Sequence, residues 1–344
     1  MNFGGWIGLM ALVTALGIIW QMRQLLLLTF MAIVLANALN MQVKWWQSWG
    51  IKRGYAVLLS VSLLFVALVS FFWLILPPLI NQFQQLVTLV PQGIEVLLES
   101  LNAIKYFLSD DQSKFLPSFD ELTQQLQPIV NEILGKGLSF FYGTLGALLS
   151  LLLLLALTLM LLADPRPYRQ GILRLFPYFY RRRIDEILRI CDLSLRRWLR
   201  GIFFNMLIIT LLSFIGLLIL RIPLALSQAL ITGILTFIPN LGPSLSVIPP
   251  MAIAFLESPW KALAVLIFYV IIQQLEGYVL TPLVMGEKTG LVPGITLLAQ
   301  VLFASFFGFL GLFLALPLTI IGKIMVQEIL IKDLLNNWAI APKQ

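Results

Sequence analysis

The sequence has a polar cluster at the end of a long apolar segment, with residue types suited to holding a polar solute or a cation. It reads Gln273-Gln274-Leu275-Glu276-Gly277 and is followed by Thr281-Pro282. An ionisable residue inside a membrane span is energetically expensive, which makes Glu276 a functional candidate. The neighbouring amides can donate and accept hydrogen bonds. The alternative is that Glu276 lies at the outer headgroup level, solvated or paired with Lys288.

A second candidate lies upstream, where helix-breaking residues interrupt an apolar segment. Pro239-Asn240-Leu241-Gly242-Pro243 is followed within a few residues by Pro249 and Pro250. Proline removes a backbone donor, and glycine loosens a helix. At membrane depth such a break is tolerated where protein buries it or where it lines a watery cavity. Broken helices of transporters bind polar cargo in this way, so the pattern favours a functional break over a simple kink.

Other polar and small residues in the apolar runs indicate helix packing. Isolated polar side chains usually form hydrogen bonds between helices, and glycines permit close approach or a further break. We assign this structural role to Asn205, Gln228, Gln300, Ser305, Gly294, Gly308 and Gly311.

The sequence argues against an enzyme and against a bound cofactor or metal. It has no histidine and a single cysteine, Cys191. Histidine-dependent catalytic triads and histidine metal sites are therefore excluded. It also has no phosphate-binding glycine loop of the Walker type, so ATP-driven transport by this chain alone is not expected.

The elements that position these clusters are membrane helices. Hydrophobic residues make up 60% of the chain and charged residues 11%, whereas a soluble domain has about 25% charged residues. A membrane helix needs about 20 apolar residues. Eight segments approach or exceed that length: 6–20, 25–39, 55–76, 138–163, 202–220, 222–256, 262–280 and 295–321.

Loop charges predict the orientation. The segment 164–200 carries ten arginines and four acidic residues, while 77–137 carries three lysines and seven acidic residues. Basic short loops stay in the cytoplasm. The arginine-rich segment is therefore expected inside and the acidic segment outside. Eight spans with both termini in the cytoplasm satisfy every loop, with Arg221 and the pair Glu287-Lys288 outside.

Both polar segments also show helical periodicity. The outer one repeats apolar residues at helical spacing from Ile80 to Val90. On the inner side an apolar stripe from Ile184 to Leu199 is accompanied by arginines. A basic amphipathic helix of this kind suits anionic headgroups, and packing on the rest of the protein is an equal alternative. The arginines expected to face headgroups are Arg181, Arg182, Arg183, Arg196, Arg197 and Arg200.

The predicted fold is an all-α polytopic membrane protein. It has about eight transmembrane helices, one of them broken by proline and glycine, together with amphipathic helices outside the membrane. The predicted domains are membrane helices 1–76, an outer helical domain 77–137, a fourth span 138–163, inner basic helices 164–201, a four-span transport core 202–327 and a cytoplasmic tail 328–344.

At the two candidate clusters the sequence resembles the autoinducer-2 exporter family of bacterial permeases. The resemblance rests on Ile-Pro-Asn-Leu-Gly-Pro at 238–243 and on Gln-Gln-Leu-Glu-Gly-Tyr-Val-Leu-Thr-Pro-Leu-Val-Met-Gly at 273–286. Leu291-Val292-Pro293 and the region Gly308–Pro317 follow as in that family. The arginine-rich helix ending at Gly201 and the order of the segments also fit, so the resemblance covers nearly the whole chain.

The resemblance implies transport without ATP hydrolysis, in the inner membrane of a bacterium. It implies export of a small polar solute such as autoinducer-2, or alternatively sodium or lithium/proton antiport, and assembly as a homo-oligomer. The expected partners are the lipid bilayer and a small polar solute or cation, with no nucleic acid. A membrane scaffold that binds partners through its polar segments is the remaining alternative. The expected solute path is formed by Pro239, Asn240, Gly242, Pro243, Gln273, Gln274, Glu276, Gly277, Thr281 and Pro282.

Overall fold

A computed structural model of the chain describes residues 10, 13, 14, 17, 18, 20–74, 77, 144–239, 241–280 and 293–336. The described part is helical, and no strand occurs in it. The predicted outer domain 77–137 lies almost wholly outside these residues. In chain order the helices are α1 Arg23–Ser48, α2 Arg53–Leu74, α3 Thr144–Ala163, α4 Arg166–Arg174, α5 Arg181–Ile219, α6 Ala225–Leu235, α7 Leu241–Ser246, α8 Ile248–Glu257, α9 Pro259–Leu275 and α10 Pro293–Met325.

Three shorter elements complete the described chain. A 3-10 turn at Tyr178–Tyr180 precedes α5, and π-helical turns extend α9 over Glu276–Leu280 and α10 over Val326–Leu335. The helices divide into two compact units. Unit 1 comprises 1–65, 149–203 and 282–344, and unit 2 comprises 66–148 and 204–281. Helix α5 contributes its arginine-rich half to unit 1 and its apolar half to unit 2.

Unit 1 packs α1, α2 and α3 around small and branched residues. Ala36, Val43, Ala56 and Leu162 are buried in one cluster. Alanines at such contacts let helix backbones approach closely, which is how helices associate when lipid supplies no hydrophobic drive. Arg53 also donates a hydrogen bond of 3.1 Å to the carbonyl oxygen of Leu162. A free carbonyl near the end of α3 thereby gains a donor.

Helix α10 of unit 1 reverses direction at Gly308. That residue has φ 64° and ψ −146°, a conformation that suits glycine. A β-carbon at Gly311 would lie 2.1 Å from the carbonyl oxygen of Phe303. In a straight helix these residues would be about 12 Å apart along the axis. The chain therefore folds back on itself here, and the expected break at these glycines is present.

Unit 2 contains a second reversal, in the proline-rich segment. Helix α6 ends at Leu235, and a β-carbon at Gly242 would lie 1.8 Å from the carbonyl oxygen of Leu235. Pro239 lies in the intervening turn, where its missing N–H leaves no donor unpaired. The amide of Gly242 donates to the carbonyl of Ile238 at 2.8 Å. Helices α6 and α7 thus form a tight helical hairpin, which α8 continues.

Both ends of this hairpin lie together. The ammonium group of Lys261, in the first turn of α9, donates a 3.1 Å hydrogen bond to the carbonyl oxygen of Arg221, just after α5. Lys261 also forms an ion pair with Glu257 at the end of α8. The two ends of the segment 222–256 are therefore close together within unit 2. Where the sequence predicted one broken span, the structure has two shorter apolar helical segments, Ala225–Leu235 and Leu241–Phe255, because the prolines and Gly242 turn the chain back.

Within the described residues, the number of candidate spans is lower than the eight predicted for the whole sequence. Five helices in the described part of the chain are long and apolar enough to cross a membrane, or six if the bent pair formed by α3 and α4 counts as one span. Helix α6, with 11 residues, is only about 17 Å long, against a hydrocarbon core of about 30 Å. The predicted class, an all-α polytopic membrane protein, is confirmed.

The arginine-rich half of α5 packs into unit 1 through its apolar stripe. Ile184, Ile187, Leu195 and Trp198 are all at most 4% exposed. Of the two interpretations of this stripe, the contacts favour packing on the protein over immersion in headgroups. Ion pairs reinforce the packing: Arg183 contacts Glu328 at 2.8 Å and Asp333 at 3.0 Å.

The same ion network fixes the end of the described chain. The Tyr180 hydroxyl donates to Asp333 at 2.7 Å, and Lys332 contacts Glu328 at 2.6 Å. These contacts hold the π-helical turn at 326–335 against the start of α5. The end of α10 therefore lies on the same side of unit 1 as the arginine-rich segment.

Replacement of Gly242 by alanine tests the tight reversal. A β-carbon there meets backbone atoms that cannot move independently, and overpacking of this kind costs about 1–3 kcal/mol. We expect Gly242→Ala to lower the thermal unfolding midpoint of the purified protein. Gly277→Ala is the matched control, because in the part of the chain that the structure describes no atom lies within 4 Å of the position that its β-carbon would occupy. Equal midpoints for the two variants would contradict the tight contact.

The ion network is tested by Arg183→Met. This change removes the partner of two carboxylates that are less than a quarter exposed, and charged hydrogen bonds are worth about 1.5–3 kcal/mol each. We expect faster proteolysis within residues 326–336. Arg182→Met is the control. Arg182 is next to Arg183 in the sequence, but its side chain is exposed and has no partner in the described residues. Identical cleavage rates in both variants would contradict the role of Arg183.

Candidate functional site

Two antiparallel helices of unit 2 bring a carboxyl group and an amide together. Asn205 lies near the start of the apolar half of α5, and Glu276 follows directly after α9. The amide nitrogen of Asn205 donates a 2.9 Å hydrogen bond to Oε1 of Glu276. Asn205 is 3% exposed and Glu276 is 6% exposed. Burial of a carboxyl group among apolar side chains is costly unless a donor compensates, so Asn205 stabilises Glu276 at this position.

The pair does not use all of its hydrogen-bonding capacity. Oδ1 of Asn205 is buried and has no hydrogen-bond partner among the described residues. An unpaired buried acceptor costs about 1–3 kcal/mol, and such groups in native structures often indicate a missing ligand, ion or water. The site therefore presents an acceptor beside a carboxyl group, an arrangement suited to hydroxyl groups, ammonium groups or a small cation.

Glu276 also begins an irregular stretch of backbone. The chain changes from α-helix to π-helix over Glu276–Leu280. Short π-helical turns are rare and often occur at functional sites, since they redirect side chains and loosen the hydrogen-bond ladder. Gly277, the next residue, has no atom of the described residues within 4 Å of the place a β-carbon would take. A ligand could therefore approach the backbone closely here.

Gln273 connects this cluster to the proline-rich hairpin. Its amide nitrogen donates a 2.9 Å hydrogen bond to the hydroxyl group of Ser244, which follows Pro243 in α7. Gln273 precedes Glu276 by one helical turn and so lies on the same face of the helix. The structure thus brings together the two clusters that the sequence indicated separately.

The remaining predicted path residues have different placements. Gly242 and Pro243 are buried, Pro239 is half-buried and Gln274 is exposed. Asn240, Thr281 and Pro282 lie outside the described residues. Glu276 pairs with a residue only about 8 Å along α5 from Arg200, at 1.5 Å per residue. It therefore lies near the arginine-rich end of the span, whereas the eight-span arrangement placed it near the outer boundary.

Sequence reasoning underestimated four residues of unit 2. Asn205 was assigned only to helix packing, although its hydrogen bond between helices ends on Glu276. Ser244 and the Thr232–Tyr269 pair, whose hydroxyl oxygens are 3.0 Å apart and buried, carried no assignment. The available signal was an isolated amide within an apolar run, which predicts an interhelical bond without naming its partner.

The arginines expected to face headgroups divide into two groups. Arg183 and Arg196 form ion pairs with acidic residues, and Arg181 donates to the carbonyl of Phe176 at 3.0 Å. Arg182, Arg197 and Arg200 are exposed. Contact of these side chains with lipid stays a prediction. Within the described ranges no group of three metal-binding side chains is present.

Comparison with known proteins places the chain among membrane transporters. YueF of Bacillus subtilis is 29% identical over 282 residues, covering 79% of this chain and 76% of YueF. YhhT of Escherichia coli K12 is 25% identical over 315 residues, covering 88% and 83% of the two chains. Both are named as candidate transport proteins. The AI-2 transport protein TqsA of Escherichia coli K12 is 26% identical over 306 residues, covering 87% and 84%.

The family comparison covers nearly the whole sequence, including both reversals and the Asn205–Glu276 pair. The profile described as "AI-2E family transporter" matches residues 9–331. With the apolar spans of the fold, this match indicates a multi-pass membrane transporter or permease. The chain belongs to the AI-2E transporter family.

Proposed function

We propose that this protein is a secondary transporter or facilitator that exports a small polar solute across a bacterial inner membrane, with autoinducer-2 as the candidate cargo. The observation that carries the proposal is the buried Asn205–Glu276 pair, which leaves an acceptor unpaired beside an irregular turn of backbone. A helical bundle that never binds a solute would gain nothing from leaving this buried acceptor unpaired. The name of TqsA, an AI-2 transport protein, suggests the cargo.

The proposed contacts with the solute come from both parts of the site. The Asn205 amide oxygen and the Glu276 carboxyl group accept hydrogen bonds, while Gln273 and Ser244 can exchange their mutual bond for bonds to the solute. A polyhydroxylated molecule matches this excess of acceptors, because each of its hydroxyl groups donates one hydrogen bond. The solute thereby satisfies groups that would otherwise stay unpaired.

The proposed movement of solute requires no cofactor and no chemical step. Buried polar groups compensate the solute for part of its lost hydration, and the concentration gradient or a coupled ion supplies the driving force. The hairpin formed by α6 and α7 ends next to Gln273, so a change in its position would open or cover the polar cluster. The chain is accordingly proposed to act as a transporter, not as an enzyme.

Efflux from reconstituted vesicles tests the proposal. We expect Glu276→Gln to slow autoinducer-2 efflux about tenfold, since one accepting oxygen becomes an amide donor and a lost hydrogen bond costs about 1.4 kcal/mol. Glu257→Gln is the matched control, because it makes the same chemical change at an exposed position of unit 2. Unchanged efflux through folded Glu276→Gln would remove this residue from the mechanism.

Cation/proton antiport is a second candidate, favoured by the burial of a single carboxyl group in α9 and its extension. An antiporter needs a group that alternates between a proton and a cation, and glutamine cannot do so. We expect Glu276→Gln to abolish sodium- or lithium-dependent proton flux completely under this alternative, whereas it only slows solute efflux under the first. Vesicles containing a pH-sensitive dye measure the flux. Its absence in the unaltered protein rejects antiport.

A further inference from the structure

A basic amphipathic helix outside the transport site has an apolar surface that the described protein does not cover. Helix α4 and the turn after it expose large side chains continuously. Leu175 is 82% exposed, Tyr178 is 87% exposed and Phe179 is 85% exposed. Tyr168 and Ile172, one helical turn apart, extend the same surface along α4. Contiguous apolar exposure of this kind usually indicates a contact with a membrane or a partner.

The position of α4 indicates which of these contacts it makes. It follows the apolar helix α3 after only two residues and is bent by 93° relative to it. Helix α3 has 20 residues and is apolar throughout, which is long enough to cross the hydrocarbon core. A helix at right angles to its end would then lie along the membrane surface. Residues at the level of headgroups can immerse an apolar face by about 5–10 Å while their polar face stays in water.

The charges of α4 complement an anionic surface. Its nine residues include Arg166, Arg169 and Arg174 and no acidic residue. Arg169 is paired with Asp185 of α5 at 2.8 Å, which fixes the helix to the arginine-rich half of α5. The side chains of Arg166 and Arg174 form no ion pair or hydrogen bond within the described ranges. Arg166 and Arg174 are about two turns apart and so share one face of α4. At about 100° per residue, this face is opposite the one that carries Tyr168 and Ile172.

We propose that α4 and the turn Leu175–Phe179 form a docking element for anionic lipid, with the aromatic and aliphatic side chains inserted at the acyl boundary and Arg166 and Arg174 bound to headgroup phosphates. This assignment differs from the expectation for α5, whose apolar stripe is already buried in protein. It is independent of the cargo and of the Asn205–Glu276 site.

Spin labels on the full-length protein in lipid vesicles test the immersion. Cys191 is the single cysteine, so a Cys191→Ala background accepts one label at Ile172→Cys, Phe179→Cys or Gln170→Cys. Collisions with oxygen report the acyl region, and collisions with a water-soluble nickel complex report the aqueous phase. We expect the first two labels to favour oxygen and the label at Gln170→Cys to favour nickel.

The dependence on charge is tested in the same vesicles. We expect phosphatidylglycerol to increase the membrane-docked fraction relative to phosphatidylcholine, and Arg166→Gln with Arg174→Gln to reduce the docked-to-free ratio about fivefold per arginine. Arg182→Gln with Arg189→Gln is the matched control, because it removes two exposed positive charges from α5 instead. An equal reduction in the control would show a general charge effect and overturn the proposal.

Two further outcomes would also overturn it. Nickel-accessible labels at both Ile172→Cys and Phe179→Cys in phosphatidylglycerol vesicles would place the surface in water. Labels shielded from both reagents and broadened by spin–spin interaction would show that a second copy of the chain covers it. Immersed labels at both positions, with the charge dependence specific to α4, would establish the docking element.

Discussion

Hydrocarbon offers no hydrogen bonds, so every backbone amide and carbonyl at membrane depth must find its partner inside the protein. Two interruptions of helix structure in this chain depend on that constraint. At Gly308 and in the turn from Leu235 to Gly242, the backbone reverses so closely that a β-carbon would overlap a carbonyl group. In each reversal the two arms of the chain pack directly against each other at the turn. In unit 2, Lys261 also donates a hydrogen bond to the carbonyl of Arg221.

The constraint also explains where polar side chains are found in unit 2. Thr232 and Thr236 donate to carbonyl oxygens one turn earlier in α6 and its extension, so their hydroxyl groups add no unpaired donor. Asn205 and Gln228 differ, because each has its amide nitrogen paired and its buried amide oxygen unpaired among the described residues. Asn205 is the one that bonds to a buried carboxyl group. A site for a transported solute needs this incompleteness: groups that are already fully paired offer it nothing in exchange for water.

The class of the fold and the elements near the site were predictable from local patterns. The apolar lengths of α1, α2 and α9 predict membrane helices, and Pro239 with Gly242 predicts a break. The course of the chain after the break was not predictable, because proline and glycine permit a kink or a reversal equally. The choice is made by contacts distant in sequence, such as Lys261 with Arg221 and Gln273 with Ser244. Likewise, the partner of Glu276 lies 71 positions away.

The reversal within 222–256, whose ends are joined by the Lys261–Arg221 hydrogen bond, affects how membrane crossings are counted along the chain. A segment at 222–256 that turns back removes one crossing from the count that loop charges assume for every later helix. The reversal of α10 at Gly308 changes that count by one more. The two changes cancel, which is consistent with the contacts of Arg183 with Glu328 and Asp333. Loop charges alone could not detect the two reversals, because two miscounted crossings leave the predicted side of the C-terminal tail unaltered.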